Sequence, residues 1–251
     1  MTKSVIRTEQ GNQSLNEPII QLDDVHLTLT SKAGPVHILR GISIGIPAGQ
    51  PAAIVGPSGS GKTSLLMVMA GLERASSGTV AIAGRELTRL SEDDLAVLRG
   101  AEMGIIFQSF HLVPTMTALE NVALPMELAG ESDAYKNARE LLQEVGLAAR
   151  TEHYPAELSG GEQQRVAIAR ALVREPRIIF ADEPTGNLDG RTGRQIIDLL
   201  FGLRRRRNAT LVIVTHDDHL AGMADRIIRM SDGSVASDES IGSSAVRAVS
   251  P

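Results

Sequence analysis

Apolar residues run along this chain in short stretches broken by polar and glycine-rich segments. Ile19 to Thr30 partly alternates, and Val36 to Ile46 is β-branched with glycine interruptions, the pattern of half-buried strands. Ala52-Ala53-Ile54-Val55 is a continuous apolar run, which suits a parallel strand covered on both faces. The period then predicts a helix from Lys62 to about Ala70, stopped by Gly71. Thr79 to Ala83 reads as a strand turning at Gly84. In the middle of the chain Tyr135, Ala138, Leu142 and Val145 recur at three- and four-residue steps. Gly146 stands where a helix C-terminus favours a left-handed residue, and this stripe is expected to be core. Two later runs, Ile178-Ile179-Phe180 and Leu211 to Val214, end in Asp182-Glu183 and Thr215-His216-Asp217. Open α/β sheets carry their chemistry at such strand ends. Arg226 to Met230, followed by Asp232-Gly233, predicts a hairpin. The order is strands, a glycine-rich loop, a helical stretch and strands again: an α/β core with a helical insertion.

Composition narrows the function classes. The 251 residues carry 25 Lys and Arg against 30 Asp and Glu, a net charge of −5, so clustered cations for a nucleic-acid backbone are not a general feature. Two Tyr, four Phe and no Trp exclude an aromatic stacking platform and leave the core to Leu, Ile, Val, Ala and Met. The absence of cysteine excludes disulfides, thiol catalysis and Cys-ligated metal. No apolar stretch approaches the roughly 18 residues of a membrane span, and the polar start lacks a signal-peptide core, so the cytoplasm is the expected location. Residues 1–17 and 237–251 read as loose tails around one globular unit. Arg204 to Arg207 reads as a solvated helix end, where cations suit the dipole, with lipid headgroup contact as the sharper alternative.

Gly56-Pro57-Ser58-Gly59-Ser60-Gly61-Lys62-Thr63 matches G-x-x-x-x-G-K-[ST] at every fixed position, between a buried strand and a helix. Glycines let successive backbone N–H groups curl around phosphate oxygens, and the helix N-terminus adds partial positive charge. Lys62 is suited to the β and γ phosphates, the Thr63 hydroxyl to Mg²⁺, and Ser64 to the α-phosphate. Two acids after a strand need only cap a loop. With a phosphate loop in the same chain, Asp182 is placed to complete a Mg²⁺ shell and Glu183 to orient or deprotonate the attacking water. His216, at the next strand end, is a candidate γ-phosphate contact. A second anion loop, Ser159-Gly160-Gly161-Glu162, opens another predicted helix, 97 residues after Lys62.

These elements in this order resemble the nucleotide-binding subunits of ABC transporters over about residues 18–236. Gln108, in Ile105-Ile106-Phe107-Gln108-Ser109-Phe110, resembles the family's Q-loop glutamine, Asn187-Leu188-Asp189 its D-loop, and His216 its switch histidine. Pro114 to Val122 and Ala181 to Asp189 are similar to the LolD, MacB and YbbA subfamily, with Phe107 to Phe110 and Leu158 to Arg165 nearest the last. The resemblance implies a P-loop NTPase (RecA-like) core at about 18–90 and 171–236, with an antiparallel β subdomain and an inserted helical subdomain at about 91–170. It implies ATP and Mg²⁺ as ligands and a head-to-tail homodimer. In that dimer, Ser159, Gly160, Gly161 and Glu162 of one copy meet ATP held by the other copy's phosphate loop. It implies Glu183 as general base, His216 on the γ-phosphate, Gln108 linking Mg²⁺ and water to the helical subdomain, and Asp189 coupling the two sites. A separate membrane permease is expected to dock near Phe110 to Met126, where Pro114, Met116 and Met126 either offer an apolar surface or pack as ordinary core. Export, lipoprotein or lipid extraction, and mechanotransmission are the expected tasks.

The chain departs from the family at the adenine. Where many members stack the base on an aromatic residue this chain has Leu29, and no Tyr, Phe or Trp precedes Phe107. Weakened base discrimination is expected. Glu162 stands where glutamine is common, with Ser-Gly-Gly intact. The sequence disfavours two other readings. A soluble ABC-type ATPase acting on nucleic acid or ribosomes is disfavoured by the short spacing of the anion loops and the single cassette. A catalytically silent regulator is disfavoured by the joint presence of Lys62, Asp182, Glu183 and His216.

Overall fold

The computed structural model describes residues 18–32 and 34–241; the expected N-terminal tail lies outside them. Two sheets organise the chain. The smaller is antiparallel, in the order β2-β1-β4-β5, from β1 (Pro18–Ser31), β2 (Gly34–Pro47), β4 (Ser77–Ile82) and β5 (Arg85–Glu86). The larger runs β10-β9-β3-β8-β7-β6. Its strands are β3 (Ala52–Val55), β6 (Met103–Ile106), β7 (Ile178–Asp182), β8 (Thr210–Val214), β9 (Arg226–Ser231) and β10 (Ser234–Ser240). Five of them pair in parallel, and β10 closes the edge as the antiparallel arm of the expected hairpin. Strands β3, β7 and β8 are apolar almost throughout because both faces are covered.

Helix α1 (Lys62–Met69) lies between the sheets. The far face of the large sheet packs on α3 (Ala118–Leu128), α4 (Ala134–Glu144), α5 (Gly160–Leu172) and α6 (Gly190–Arg207). Helix α2 (Glu92–Glu102) leads into β6, and the short α7 (Asp218–Ala221) follows β8. The cores are aliphatic as expected, with Phe180 and Phe201 added.

Four expectations need correction. The segment 91–170 is not wholly a helical insertion, since β6 within it pairs with β7 as the edge of the large sheet. Its Gly104 permits close approach to α5: a Cβ there would lie 2.2 Å from the Ala171 carbonyl oxygen. The C-terminal tail does not start at 237, because Ser237 to Ser240 pair with β9. In α4, Ala138 and Leu142 are core, as is Val145 just after it, but Tyr135 is 45 % exposed. The arginine run ends α6 as expected, with Arg205 and Arg206 exposed, but Arg204 and Arg207 are half-buried rather than solvated. Arg204 donates to the carbonyls of Gly49 and Ala209, and Arg206 and Arg207 both pair with Glu144.

Candidate nucleotide site

The phosphate loop leaves β3 and enters α1 without a side-chain cap. Gly61 takes the N-cap position at φ 96°, a left-handed conformation that favours glycine. Gly56 passes under β9, where a Cβ would lie 2.3 Å from the Met230 carbonyl oxygen. Lys62 Nζ curls back over the loop and donates to the carbonyls of Gly56 (2.9 Å) and Pro57 (2.8 Å), so its charge sits over the backbone N–H cradle. The cavity above, about 420 Å³, is lined by Ile38, Gly56, Ser58, Gly59, Gly61, Lys62, Thr63, Ser64, Glu183 and His216.

Not every motif residue reaches this cavity. Among the described residues its lining omits Pro57 and Ser60; the Ser60 side chain is buried beneath the loop at 2 % exposure and serves the loop's shape. Leu29 is also absent from the lining. It sits in β1 at 42 % exposure, across from Val36 at 46 %, while Ile38 further along β2 forms part of the wall.

The acidic strand end is drawn in from β7. Thr63 Oγ1 donates to Asp182 Oδ1 at 3.1 Å. Burial raises the Asp182 carboxyl above the ordinary carboxylate range; the Thr63 hydrogen bond opposes this, the neighbouring Glu183 charge adds to it, and Lys62 opposes it. A hydroxyl and a carboxylate side by side next to a phosphate cradle fit a hard divalent ion such as Mg²⁺. Among the described residues no group of three or more His, Cys, Asp or Glu gathers into a metal cage.

Glu183 adopts φ 46°, an uncommon conformation for a non-glycine residue, held by its N–H donating to the Val214 carbonyl (3.0 Å). Its carboxylate meets His216 Nδ1 at 2.9 Å. That hydrogen bond, and then the Glu183 charge, raise the His216 pKa. So β7 and β8 place an acid and a histidine together at the cavity mouth.

The remaining candidates lie away from the cavity. Gln108 packs against Gly186, donates weakly to Asn187 Oδ1 (3.4 Å), and its carbonyl accepts from Asn187 Nδ2 (3.0 Å). Asp189 caps α6, accepting from the N–H groups of Arg191 and Thr192 at 3.0 Å; a hydrogen bond from the Thr192 side chain, and then these backbone bonds, hold its carboxyl below the usual range. Ser159 caps α5 in a reciprocal box with Glu162. The Ser159 hydroxyl donates to Glu162 Oε2 (2.7 Å), as does the Ser159 N–H (2.8 Å). Arg150 pairs with the same glutamate at 3.3 Å. These contacts give Glu162 a structural role as the box partner of Ser159, one that glutamine also fills. Gly161 lies tight on the first turn of α6: a Cβ would fall 2.5 Å from Thr192 Cγ2.

Sequence reading missed three residues that shape the site's surroundings. Asn121, fully buried, accepts from the Val113 N–H and donates to the carbonyls of Val113, Met116 and Thr117, holding the loop after Gln108. Arg170 reaches from α5 to the carbonyls of Phe110 and His111, two successive residues at φ 58° and 50°. Gln164 bonds the Pro184 carbonyl. Asn121 and Gln164 lie within stretches similar to the subfamily, while Arg170 carried no local signal.

Comparison with known proteins places the chain in a family. The ABC transporter family model matches residues 39–186. The Escherichia coli K12 "Uncharacterized ABC transporter ATP-binding protein YbbA" is 47 % identical over 219 residues, covering 86 % of this chain and 96 % of that protein. The "Lipoprotein-releasing system ATP-binding protein LolD" of Geobacter metallireducens is 50 % identical over 205 residues, covering 81 % and 91 % respectively. A solved dimeric post-hydrolysis structure of the ATP-binding cassette MJ0796, bound to ADP and Pi, superposes with a TM-score of 0.83 at 38 % identity, over 89 % of this chain and 99 % of that one. The chain therefore belongs to the ABC transporter family, among its ATP-binding proteins.

Proposed function

We propose that this chain is the ATP-hydrolysing subunit of an ABC transporter complex and that two copies pair head to tail to build two shared sites. In each site the phosphate loop of one copy, Gly56 to Ser64, holds the triphosphate. Ser159, Gly160 and Gly161 of the other copy close over the γ-phosphate. Lys62 neutralises developing charge on the phosphates. Thr63 and Asp182 hold Mg²⁺, which when bound supplies charge neutralisation at the phosphate oxygens. Glu183 takes a proton from the attacking water, and His216, fixed by that carboxylate, contacts the γ-phosphate. Gln108 and Asp189 relay nucleotide state, the first to the helical segment and the second between the sites. Leu29 covers the adenine by apolar contact.

The observation that carries this reading is the incompleteness of the site within one chain. The α5 N-terminus presents an exposed Ser159 and a half-exposed Gly160, yet among the described residues none of Ser159, Gly160 and Gly161 lines the phosphate-loop cavity. A complementation assay tests it. Lys62→Ala and Ser159→Phe are each expected to abolish ATPase activity alone. Mixed together, they regain activity, because the mixed dimer contains one site with both loops intact. No recovery in a mixture that forms dimers would reject the shared site.

The driven partner is a separate transmembrane protein, which places the chain on the cytoplasmic face of a membrane. Among the described residues no helix is long and apolar enough to cross one. The docking surface is narrower than the span Phe110 to Met126, since Met126 is core at 5 % exposure. Exposed Pro114 and Thr115 with half-buried Leu112, Val113 and Met116 remain. Crosslinking from Pro114→Cys to a transmembrane protein tests this surface. Export, lipoprotein or lipid extraction, and force transmission are the tasks such a complex performs.

A further inference from the structure

Gln164 is a fully buried polar side chain in the first half of α5. Its Nε2 donates to the Pro184 carbonyl at 2.7 Å, and its Oε1, also buried, has no partner. Leaving a buried acceptor unpaired is costly, and an apolar side chain would fill this helix face without that cost. The position of the bond is informative. Pro184 directly follows Glu183, whose left-handed backbone is pinned on its other side by the Val214 carbonyl. Gly186 N–H closes the same turn onto the Glu183 carbonyl at 3.0 Å. The Gln164 carboxamide is thus a direct hydrogen bond from the helix that Ser159 caps to the turn that aims Glu183. Gln164 lies five positions after Ser159 on one rigid helix, so displacement of the α5 N-terminus moves the Pro184 peptide.

We propose that Gln164 is a positioning residue linking the second anion loop to Glu183 of the same chain, so that nucleotide clamped at Ser159 in one shared site adjusts the base of the other. The proposal rests on the shared-site reading above. It predicts cooperativity between the two sites carried through α5, and it assigns Gln164 no contact with nucleotide.

The test uses the full-length wild-type chain with Gln164→Met and Gln164→Glu. Phosphate release is followed against ATP concentration, ATP affinity is measured separately, and thermal unfolding checks the fold. For Gln164→Met the expected result is ATP affinity within about threefold of wild type, kcat lower by about ten- to a hundredfold, and a Hill coefficient falling towards 1. Gln164→Glu adds a pH signature. Ionised, its carboxylate faces the Pro184 carbonyl and cannot donate; protonated, it can, so its activity relative to wild type should rise as pH falls. A folded Gln164→Met with wild-type kcat and Hill coefficient overturns the proposal. Should Gln164→Met fail to fold, a pH-independent activity ratio for Gln164→Glu overturns it. If the wild-type chain itself hydrolyses no ATP, the parent reading fails and this proposal with it.

Discussion

Replacing Leu29 by tyrosine is expected to tighten ATP binding. Full burial of a leucine side chain contributes about 1.5–3 kcal/mol. Leu29 retains 42 % of its exposure, so a base laid over it recovers roughly 0.6–1.3 kcal/mol. This contribution is non-directional and nearly blind to which base is present. An aromatic platform contributes about 1–3 kcal/mol per base. The substitution therefore gains about 1 kcal/mol, roughly fivefold in affinity. The neighbouring Val36 and the cavity-lining Ile38 are unchanged, so the fold is not at risk. The assay is initial-rate phosphate release with ATP, GTP and CTP for both proteins. Wild type should hydrolyse ATP and GTP with KM values within about threefold of each other, and Leu29→Tyr should lower the KM for ATP. A wild-type ATP preference over GTP greater than about tenfold, or an unchanged KM in the variant, would refute the reasoning.

Three further outcomes are expected. Asn121→Ala removes four hydrogen bonds from a fully buried site, so the chain should lose about 2–4 kcal/mol of stability by urea unfolding; a loss below about 1 kcal/mol contradicts the scaffold role. Thr63→Val should raise the Mg²⁺ concentration for half-maximal activity while leaving metal-free nucleotide binding intact, and Mg²⁺ affinity should weaken as pH falls through the elevated pKa of Asp182. The His216 pKa is raised by Glu183, so the pair's small stabilisation is fully present below the ordinary histidine pKa and disappears as pH rises through the folded value; an NMR titration of His216 should move back down in Glu183→Gln.

Local motifs made the site legible. The glycines, Lys62 and Thr63 act through backbone spacing along one loop, and Asp182, Glu183 and His216 stand at the ends of short apolar strands. Residues acting through distant partners left no trace of the contacts they make. Gln164 and Arg170 reach Pro184 and the Phe110-His111 carbonyls across the fold, and their spacing on α5 looks like any amphipathic helix. The same non-locality explains the errors. Met103-Gly104-Ile105-Ile106 is too short to separate strand from helix by period, and only pairing with β7 settles it. Met126 looked like an adaptable surface side chain but turns inward against α4, where its sulfur accepts from Asn137. Arg206 and Arg207 find Glu144, more than sixty positions away, which no charge count along the chain reveals.

The central claim, a hydrolytic site completed by a second copy, is tested most directly by the mass of Glu183→Gln in solution with MgATP. The carboxamide can keep the His216 contact while losing the base, so hydrolysis should fall by about a hundredfold or more while nucleotide still binds. The account predicts that light scattering finds twice the mass of a single chain with ATP and a single chain without it. Wild-type hydrolysis in Glu183→Gln, or a monomer at saturating ATP, would contradict it.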